Sequence, residues 1–491
     1  MRGKLRLAML VLVLFGRPGL AQNNPPRGTR MTDAAEARRR FGLGTEYDRV
    51  DGIDRVKVAV LDTGFAGMRA GGPYLPKNAE VVEHYDPDFV RRFPSLGDPG
   101  YRKEFEPGNR HGRVMAQIVW AMTGARPEGP KFYLLNANGP TMLRRAVRFA
   151  IERNVDVVLF SGSFEGGGDG DGRGPINRIV ADATAADILW INAAGNYGGR
   201  VYSGPIRILD DGLLRLGHGT DIAALRFRNR VDENTVTITL TWNDYREQED
   251  AGTEKDLDLY VEDWTGRRVG AGEKVQVAGP ETAGPEETLN PRERVVLTNL
   301  PASPDVPSDP DYGYRIRVRA RRGAFNAHDR VRVVVVPGRE SYVPPHGDGP
   351  APAFAFVDAS NEDELYPPAD NPLVLTIGDA DPSSSIGPTA DRRVKPDAIV
   401  EDSRAYFSDG EVSAGSSNAA AYVAGVVAVL KADAPGLRPR HLLQLAREGR
   451  SVTGKMLRGR EFRSPDASLG FHVWRTPTRS RLAELIREDV R

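Results

Sequence analysis

The chain has 491 residues, of which 40% are apolar and 27% charged, as in ordinary soluble globular proteins. Its 67 basic and 67 acidic side chains cancel, so the charge gives no support to a nucleic-acid-binding or membrane-surface function. The sequence contains no cysteine, which excludes disulfides, a thiol nucleophile and a thiolate metal site. The length favours at least two domains.

Residues 1–21 have the pattern of a secretory signal peptide. Three basic residues precede an apolar run from Leu7 to Phe15, and this run is too short to span a bilayer. Small residues follow at 19–21, so we predict cleavage before residue 22 and a secreted or periplasmic protein with no membrane contact after cleavage. An uncleaved N-terminal anchor is the alternative.

The first half of the mature chain has the pattern of an α/β protein. A polar N-terminal segment, residues 22–55, includes a predicted helix from Thr32 to Phe41. Residues 56–204 then alternate apolar runs with helical patterns, which predicts a doubly wound, mostly parallel sheet. The predicted strands are 56–61, 132–137, 155–160 and 188–193, and the predicted helices are 114–122, 143–153 and 176–186.

The pattern changes in residues 205–365, where alternating runs are separated by turns rich in Gly, Pro and Asp. We predict an inserted all-β sandwich with strands at 235–242, 257–262, 294–297, 314–319 and 331–336. Asp256 and Asp258 at one strand start are candidate ligands for a structural Ca²⁺, with solvated loop acids as the alternative. The α/β pattern returns in 366–491, with a strand at 373–377 and helices at 418–433 and 439–447.

Three polar side chains stand where α/β sheets form active sites. Asp62 ends the first apolar run, His111 leads into a helix, and Ser417 begins a buried helix whose N–H groups can face an oxyanion. Each has a plain alternative: a turn carboxylate, a surface or core histidine, and a capping serine. The order Asp, His, Ser on an α/β fold is nevertheless that of a known catalytic triad, so their combination predicts nucleophilic catalysis.

A fourth polar residue fits this chemistry. Asn196 follows the predicted strand 188–193, between the histidine and the serine in the sequence. Its side-chain amide can donate to an oxyanion together with the N–H of Ser417.

These segments resemble the subtilase family of serine peptidases, over roughly residues 50–200 and 370–475. The family's sequence boxes correspond here to Asp62-Thr63-Gly64, His111-Gly112-Arg113, Gly195-Asn196 and Gly415-Ser416-Ser417-Asn418-Ala419-Ala420-Ala421. Residues 157–164 resemble the strand that pairs with the substrate backbone, which implies that Ser161, Gly162 and Ser163 bind substrate. Residues 235–267 resemble the jelly-roll β-domain that many bacterial subtilases carry, here inserted within the catalytic domain.

The resemblance implies a serine endopeptidase that acts on proteins or peptides through an acyl-enzyme and needs no cofactor for its chemistry. Ser417 would be the nucleophile, His111 the general base and acid, and Asp62 the residue that orients His111. We expect the inserted domain to stabilise the enzyme or to help select its substrates.

The sequence also departs from the family's boxes. Arg113 replaces the usual Thr after His-Gly, Ser416 replaces Thr, and Ala421 and Tyr422 replace the usual Pro and His. We expect the Arg113 side chain to point outward into solvent. These departures motivate an alternative function, a catalytically inactive, subtilase-like secreted binding protein. A lipase or esterase is disfavoured, because that class uses a Gly-x-Ser-x-Gly elbow and the order Ser, Asp, His.

Overall fold

A computed structural model of the chain describes residues 30–488 except 45, 67–74, 76, 83–84, 86–108, 218–220, 249–250, 272–288, 307–308, 310–311, 339–352, 361 and 454–469. The predicted signal peptide, residues 1–21, lies outside the described residues. Within the described parts, no helix combines the length and the apolar character needed to cross a membrane.

The secondary structure alternates as the sequence predicts in the α/β parts, with additional short strands. The helices are α1 Ala34–Arg40, α2 His111–Met122, α3 Pro140–Glu152, α4 Pro175–Ala185, α5 Ser416–Asp433, α6 Pro439–Ala446 and α7 Arg479–Glu488. The strands are β1 Lys57–Asp62, β2 Glu80–Val82, β3 Lys131–Asn136, β4 Val157–Phe160, β5 Leu189–Ala193, β6 Val201–Pro205, β7 Leu225–Asn229, β8 Asn234–Trp242, β9 Asp256–Glu262, β10 Arg268–Ala271, β11 Arg292–Leu300, β12 Tyr314–Arg322, β13 Arg330–Pro337, β14 Phe354–Phe356, β15 Leu375–Asp379, β16 Ala398–Val400, β17 Ala405–Tyr406, β18 Val412–Ser413, β19 Ser451–Thr453 and β20 Gly470–His472.

The centre of the molecule is a seven-stranded sheet in the order β16-β15-β5-β4-β1-β3-β2. All of its pairings are parallel. Helices α2 and α5 share a core with one face, and α3 and α4 share a core with the other. The central strands are therefore buried on both sides, which explains their continuous apolar runs. The predicted fold class, a doubly wound parallel sheet accompanied by antiparallel β structure, is confirmed.

Helix α5 runs through the core and carries the candidate nucleophile at its start. Its residues from Ser416 to Leu430 are all buried, so it is apolar around its whole circumference. Gly425 lets α2 approach closely, because a Cβ at this position would lie 2.4 Å from the Cβ of Met122. This close contact fixes the start of α5 relative to α2, the helix that begins at His111.

Residues 201–356 form two antiparallel sheets with a core of their own. Their strand orders are β10-β9-β12-β7-β14 and β11-β8-β13-β6. Strand β6, Val201–Pro205, pairs with β13, so the sandwich begins at Val201 and the predicted boundary between residues 204 and 205 divides this strand.

The N-terminal segment packs against the core of the seven-stranded sheet from residue 30 onward. Phe41, which follows α1, stacks on Tyr422 with 5.0 Å between the ring centroids, and the Arg40 guanidinium lies 5.4 Å from the same ring. The Tyr422 hydroxyl donates to the carbonyl oxygen of Arg404 at 2.9 Å. Tyr422, one of the departures from the family's boxes, thus holds the N-terminal segment against α5.

The candidate calcium ligands lie on β9. The carboxylate of Asp258 accepts a hydrogen bond from the guanidinium of Arg321. The Asp256 carboxyl is partly buried, and burial together with the neighbouring Asp258 raises its pKa. Among the described residues, no group of three acidic or histidine side chains is arranged to hold a metal ion. These residues therefore fit Ca²⁺ poorly, and the calcium site stays a prediction.

Candidate active site

Asp62 and His111 form a hydrogen-bonded pair at the carboxyl edge of the sheet. Asp62 is the last residue of β1 and is 2% exposed. Its Oδ2 lies 2.6 Å from Nδ1 of His111, the first residue of α2. The other carboxylate oxygen, Oδ1, accepts the backbone N–H of Thr63 at 2.8 Å. This second bond fixes the carboxylate so that Oδ2 faces the imidazole.

The turn before α2 explains why glycine follows the histidine. The N–H of Gly112 donates to the carbonyl oxygen of Gly64 at 3.1 Å, which brings the helix start against the strand that ends in Asp62. A Cβ at Gly112 would lie 2.7 Å from the Asp62 Cβ and 2.5 Å from the Phe65 ring. Any larger residue would push His111 away from its carboxylate partner.

Asn109 is a further residue of this turn that the sequence did not single out. Its Oδ1 accepts the His111 N–H at 2.9 Å, and its Nδ2 donates to the Thr63 hydroxyl at 2.6 Å. It therefore links the two segments that carry Asp62 and His111. Its bond to the N–H two residues on is an Asx turn, and an Asn just before a predicted helix is the signal that could have revealed it.

Ser417 is the second residue of α5 and is 9% exposed. Its hydroxyl donates to the carbonyl oxygen of Ser161 at 3.4 Å, and the Ser161 hydroxyl donates to the carbonyl oxygen of Ser417 at 3.3 Å. Ser417 and His111 both lie in the described part of the chain, and there no hydrogen bond joins the Ser417 hydroxyl to His111. Hydrogen bonds between catalytic groups are often long before substrate binds.

Asn196 contacts the start of α5 next to Ser417, and its role at an oxyanion stays a prediction. Its Oδ1 accepts hydrogen bonds from the Ser416 backbone N–H at 3.2 Å and the Ser416 hydroxyl at 3.0 Å. Because a backbone N–H can only donate, the amide must present Oδ1 to Ser416. Its Nδ2 therefore points away from Ser416 and can donate a hydrogen bond to another group, as an oxyanion donor must.

We expect Asn196→Asp to lower kcat for peptide hydrolysis by about 10²–10³-fold, because one oxyanion donor is lost. Aspartate keeps the oxygen that accepts from Ser416, so the substitution removes the donor and spares those contacts. Asn196→Ala, which removes both, should show the same order of loss in kcat. Wild-type kcat for Asn196→Asp, measured on a fluorogenic peptide, would rule out the donor role.

The predicted substrate-binding residues, Ser161, Gly162 and Ser163, directly follow β4, which ends at Phe160. Ser161 is 6% exposed and Ser163 is 8% exposed. The Gly162 carbonyl oxygen accepts from the Asn192 side-chain amide at 3.1 Å, and the Ser163 hydroxyl lies 3.1 Å from the Tyr197 hydroxyl. The segment is thus tied to the neighbouring strand by side chains. Substrate binding by these residues stays a prediction.

The expected outward orientation of Arg113 is wrong. Its side chain is 6% exposed, and its guanidinium lies 3.8 Å from the carboxylate of Glu411. Arg110 also pairs with Glu411, at 2.5 Å. Burial and the neighbouring Arg110 lower the pKa of Arg113. Glu411, an acid of the turn between β17 and β18, makes this burial possible. It lies 298 positions from Arg113 in the sequence, so no local pattern reveals the pair.

A second buried carboxylate, that of Asp379, supports the chain at Gly415, just before α5, and was missed in the sequence. Asp379 ends β15, and its Oδ2 accepts the Ser403 hydroxyl at 2.7 Å. The Ser403 oxygen in turn accepts the N–H of Gly415 at 2.9 Å. Despite the hydrogen bond from Ser403, burial raises the pKa of Asp379 to about 6. Its position at a strand end, like that of Asp62, was the available signal.

The raised pKa of Asp379 predicts a pH-dependent stability. The folded protein holds this proton up to about pH 6, whereas the unfolded chain releases it near 3.8. The folded state is thus favoured at low pH, and this contribution is lost as pH rises from about 4 to 6. Asp379→Asn stays neutral, so above pH 6 it should raise the free energy of unfolding by up to about 3 kcal/mol.

The measurement compares denaturant unfolding of the two proteins at pH 4 and pH 8. Both should carry Ser417→Ala, so that self-digestion of the unfolded chain cannot distort the comparison. The variant's advantage in unfolding free energy over its parent should be larger at pH 8 than at pH 4. An advantage that is the same at both pH values would contradict the prediction.

Comparisons with known proteins identify the fold. Residues 54–207 match the model of the Subtilase family. No curated protein matches the sequence. Among solved structures, the CspB protease of Clostridium perfringens is similar with a TM-score of 0.51 at 16% identity, over 93% of this chain and 98% of that chain. MycP1 from Mycobacterium smegmatis has a TM-score of 0.36 at 15% identity, over 89% of this chain and 83% of that one.

The family match covers the segments that carry Asp62, His111 and Asn196. The likeness to the CspB protease extends over nearly the whole chain and shows a shared fold. The resemblance to the subtilase family of serine peptidases is therefore confirmed, by the family match over residues 54–207 and by the fold.

Proposed function

We propose that this chain is a secreted or periplasmic serine endopeptidase that hydrolyses peptide bonds in proteins or peptides. Asp62, His111 and Ser417 form its triad, and Asn196 and the Ser417 N–H stabilise the oxyanion. The observation that carries the proposal is the 2.6 Å hydrogen bond between Asp62 Oδ2 and His111 Nδ1, and the serine at the start of a buried helix supports it.

In the first step, Ser417 Oγ attacks the carbonyl carbon of the scissile bond, and its proton passes to His111 Nε2. The carbonyl oxygen becomes negative and accepts hydrogen bonds from Asn196 Nδ2 and the Ser417 N–H. The C–N bond then breaks, and the leaving amine takes the proton from His111. The acyl group remains as an ester on Ser417.

In the second step, water attacks the ester carbonyl while His111 Nε2 takes one of its protons. The ester C–O bond breaks, Ser417 Oγ recovers the proton, and the carboxylic acid leaves. Asp62 keeps the proton of His111 on Nδ1 throughout, because its Oδ2 accepts that hydrogen bond. Nε2 therefore stays free to accept and return protons.

Two observations favour the second candidate, an inactive binding protein. The Ser417 hydroxyl is bonded to Ser161 rather than to His111, and Arg113 is buried beside the histidine turn. A hydroxyl has one proton, so Ser417 must give up its 3.4 Å hydrogen bond to the Ser161 carbonyl oxygen before it can donate to His111. A hydrogen bond of this length is weak, so this geometry does not oppose catalysis.

The test is labelling with a fluorophosphonate of the chain that lacks residues 1–21, next to its Ser417→Ala variant. A fluorophosphonate reacts with a serine only where the hydroxyl is activated. We expect labelling of the first protein and none of the second, together with hydrolysis of an unfolded protein such as casein by the first alone. A folded protein that takes no label would favour the binding function.

A further inference from the structure

A group of charged side chains joins the segment that carries the proposed base to the segment that leads to the proposed nucleophile. Glu411 Oε2 lies 2.5 Å from Nη2 of Arg110 and 3.8 Å from Nη2 of Arg113. These two arginines stand on either side of His111 in the sequence, and Glu411 shortly precedes Ser417. One carboxylate thus contacts both guanidinium groups of the histidine turn.

The hairpin formed by β17 and β18 holds Glu411 in place. The Glu411 N–H donates to Asp409 Oδ1 at 3.1 Å, and the Glu411 carbonyl oxygen accepts from the Phe407 N–H at 2.9 Å. Gly410 has a φ of 83°, a left-handed conformation that glycine adopts without strain. Both backbone hydrogen-bonding groups of Glu411 are therefore engaged, and its carboxylate is presented to the arginines from a fixed turn.

Arg113 is a buried cation that depends on this carboxylate. Its side chain is 6% exposed, and its Nε has no hydrogen-bond partner among the described residues. Burial and the neighbouring Arg110 lower the pKa of Arg113, whereas the charges of Glu411 and Asp409 act in the opposite direction. Loss of one partner from a buried ion pair leaves an uncompensated charge, which is strongly unfavourable. Glu411 therefore makes a charged arginine tolerable at this position.

The charge balance of this turn matters because His111 must become positive when it takes the proton of Ser417. Carboxylates favour the positive imidazole, and neighbouring cations oppose it. In the described chain, the charged side chains joined to this turn by ion pairs are Asp62, Arg110, Arg113, Asp409 and Glu411. Without Glu411, both guanidinium groups would lose their shared counter-charge. This step rests on the proposed function.

We propose that Glu411 is a positioning residue for the proposed peptidase reaction, which neutralises Arg113 and holds the segment before Ser417 against the turn that carries His111. It acts through Arg110 and Arg113, and it contacts neither the nucleophile nor the base. A threonine after His-Gly would need no such acid. Glu411 thus compensates for the arginine that this chain has at that position.

The first variant is Glu411→Gln, which keeps the size of the side chain and removes its charge. We expect kcat on a fluorogenic peptide to fall by about 10-fold with KM changed less than about 2-fold, because the base and the nucleophile lose their alignment. The acidic midpoint of the kcat/KM pH profile should move down by about 0.5 pH unit or more, because the uncompensated cations oppose the positive imidazole. A loss of stability alone would not move this midpoint.

The second variant tests whether Glu411 acts through Arg113. Methionine at position 113 keeps a long side chain without charge, so Arg113→Met should stay within about 3-fold of the wild-type kcat. Arg113→Met/Glu411→Gln should then recover kcat and the acidic midpoint to the values of Arg113→Met. Glu448→Gln is the matched control, because its side chain is 36% exposed, against 35% for Glu411, and pairs with Arg481 at 2.7 Å. This control should behave as the wild type.

Titration with a fluorophosphonate counts the active serines, so kcat per labelled site does not depend on the folded fraction. A Glu411→Gln variant with wild-type kcat and midpoint overturns the inference and leaves the proposed function intact. A double variant as impaired as Glu411→Gln also overturns it. The midpoint of Glu411→Gln decides the question even where the double variant fails to fold. A wild type that takes no label and cleaves no peptide overturns the proposed function, and the inference with it.

Discussion

Alanine at Ser417 should lower kcat for peptide hydrolysis by about 10⁶-fold, and alanine at His111 should lower it by nearly as much. The two side chains act as one unit, because the hydroxyl is a weak nucleophile until a base takes its proton. Once either is lost, the other has nothing to act on. The measurement is kcat on a fluorogenic peptide substrate.

The Ser417→Ala/His111→Ala double variant distinguishes this joint action from independent contributions of the two residues to kcat. Its kcat should equal that of either single variant, with a residual rate about 10³–10⁴-fold above the uncatalysed reaction from binding and oxyanion stabilisation. A further loss in the double variant would mean that the two residues act separately. His328→Ala is the control, because this histidine is exposed and lies next to β13 of the sandwich.

Much of the fold could be predicted because its elements carry strong local signals. The buried parallel strands are continuous apolar runs, and helix α5 is apolar from Ala419 to Leu430. Short strands were missed: β2 has three residues, and β6, Val201–Pro205, contains two residues that rarely occur in strand interiors, Gly204 and Pro205. Their pairing partners, not their own composition, make them strands.

The residues proposed for catalysis could be chosen because their order and their places at strand and helix ends have a chemical meaning. The supporting residues could not. Ser403 bonds to Asp379 and Gly415, 24 and 12 positions away, and such contacts leave no local pattern. Tyr197 shares a buried cluster with Val334 and Val336 from the sandwich, and no local pattern reveals that packing either.

Asparagine at Asp62 should lower kcat by about 10⁴-fold while leaving the fold and KM almost unchanged. The reason lies in the two hydrogen bonds of the carboxylate. Oδ1 accepts the Thr63 N–H at 2.8 Å, and an asparagine keeps that bond only by presenting its oxygen there. Its NH₂ group then takes the place of Oδ2, 2.6 Å from His111 Nδ1.

An NH₂ group can only donate, so His111 must accept at Nδ1 and carry its proton on Nε2. In that tautomer Nε2 has no lone pair for the Ser417 proton, and the attack fails although every atom is close to its original place. Asp156→Asn is the matched control: Asp156 Oδ2 accepts the Lys57 N–H at 2.9 Å, at the opposite end of β1, and its kcat should equal that of the wild type. If Asp62→Asn lowers kcat less than about 10-fold, the carboxylate does not set the tautomer of His111.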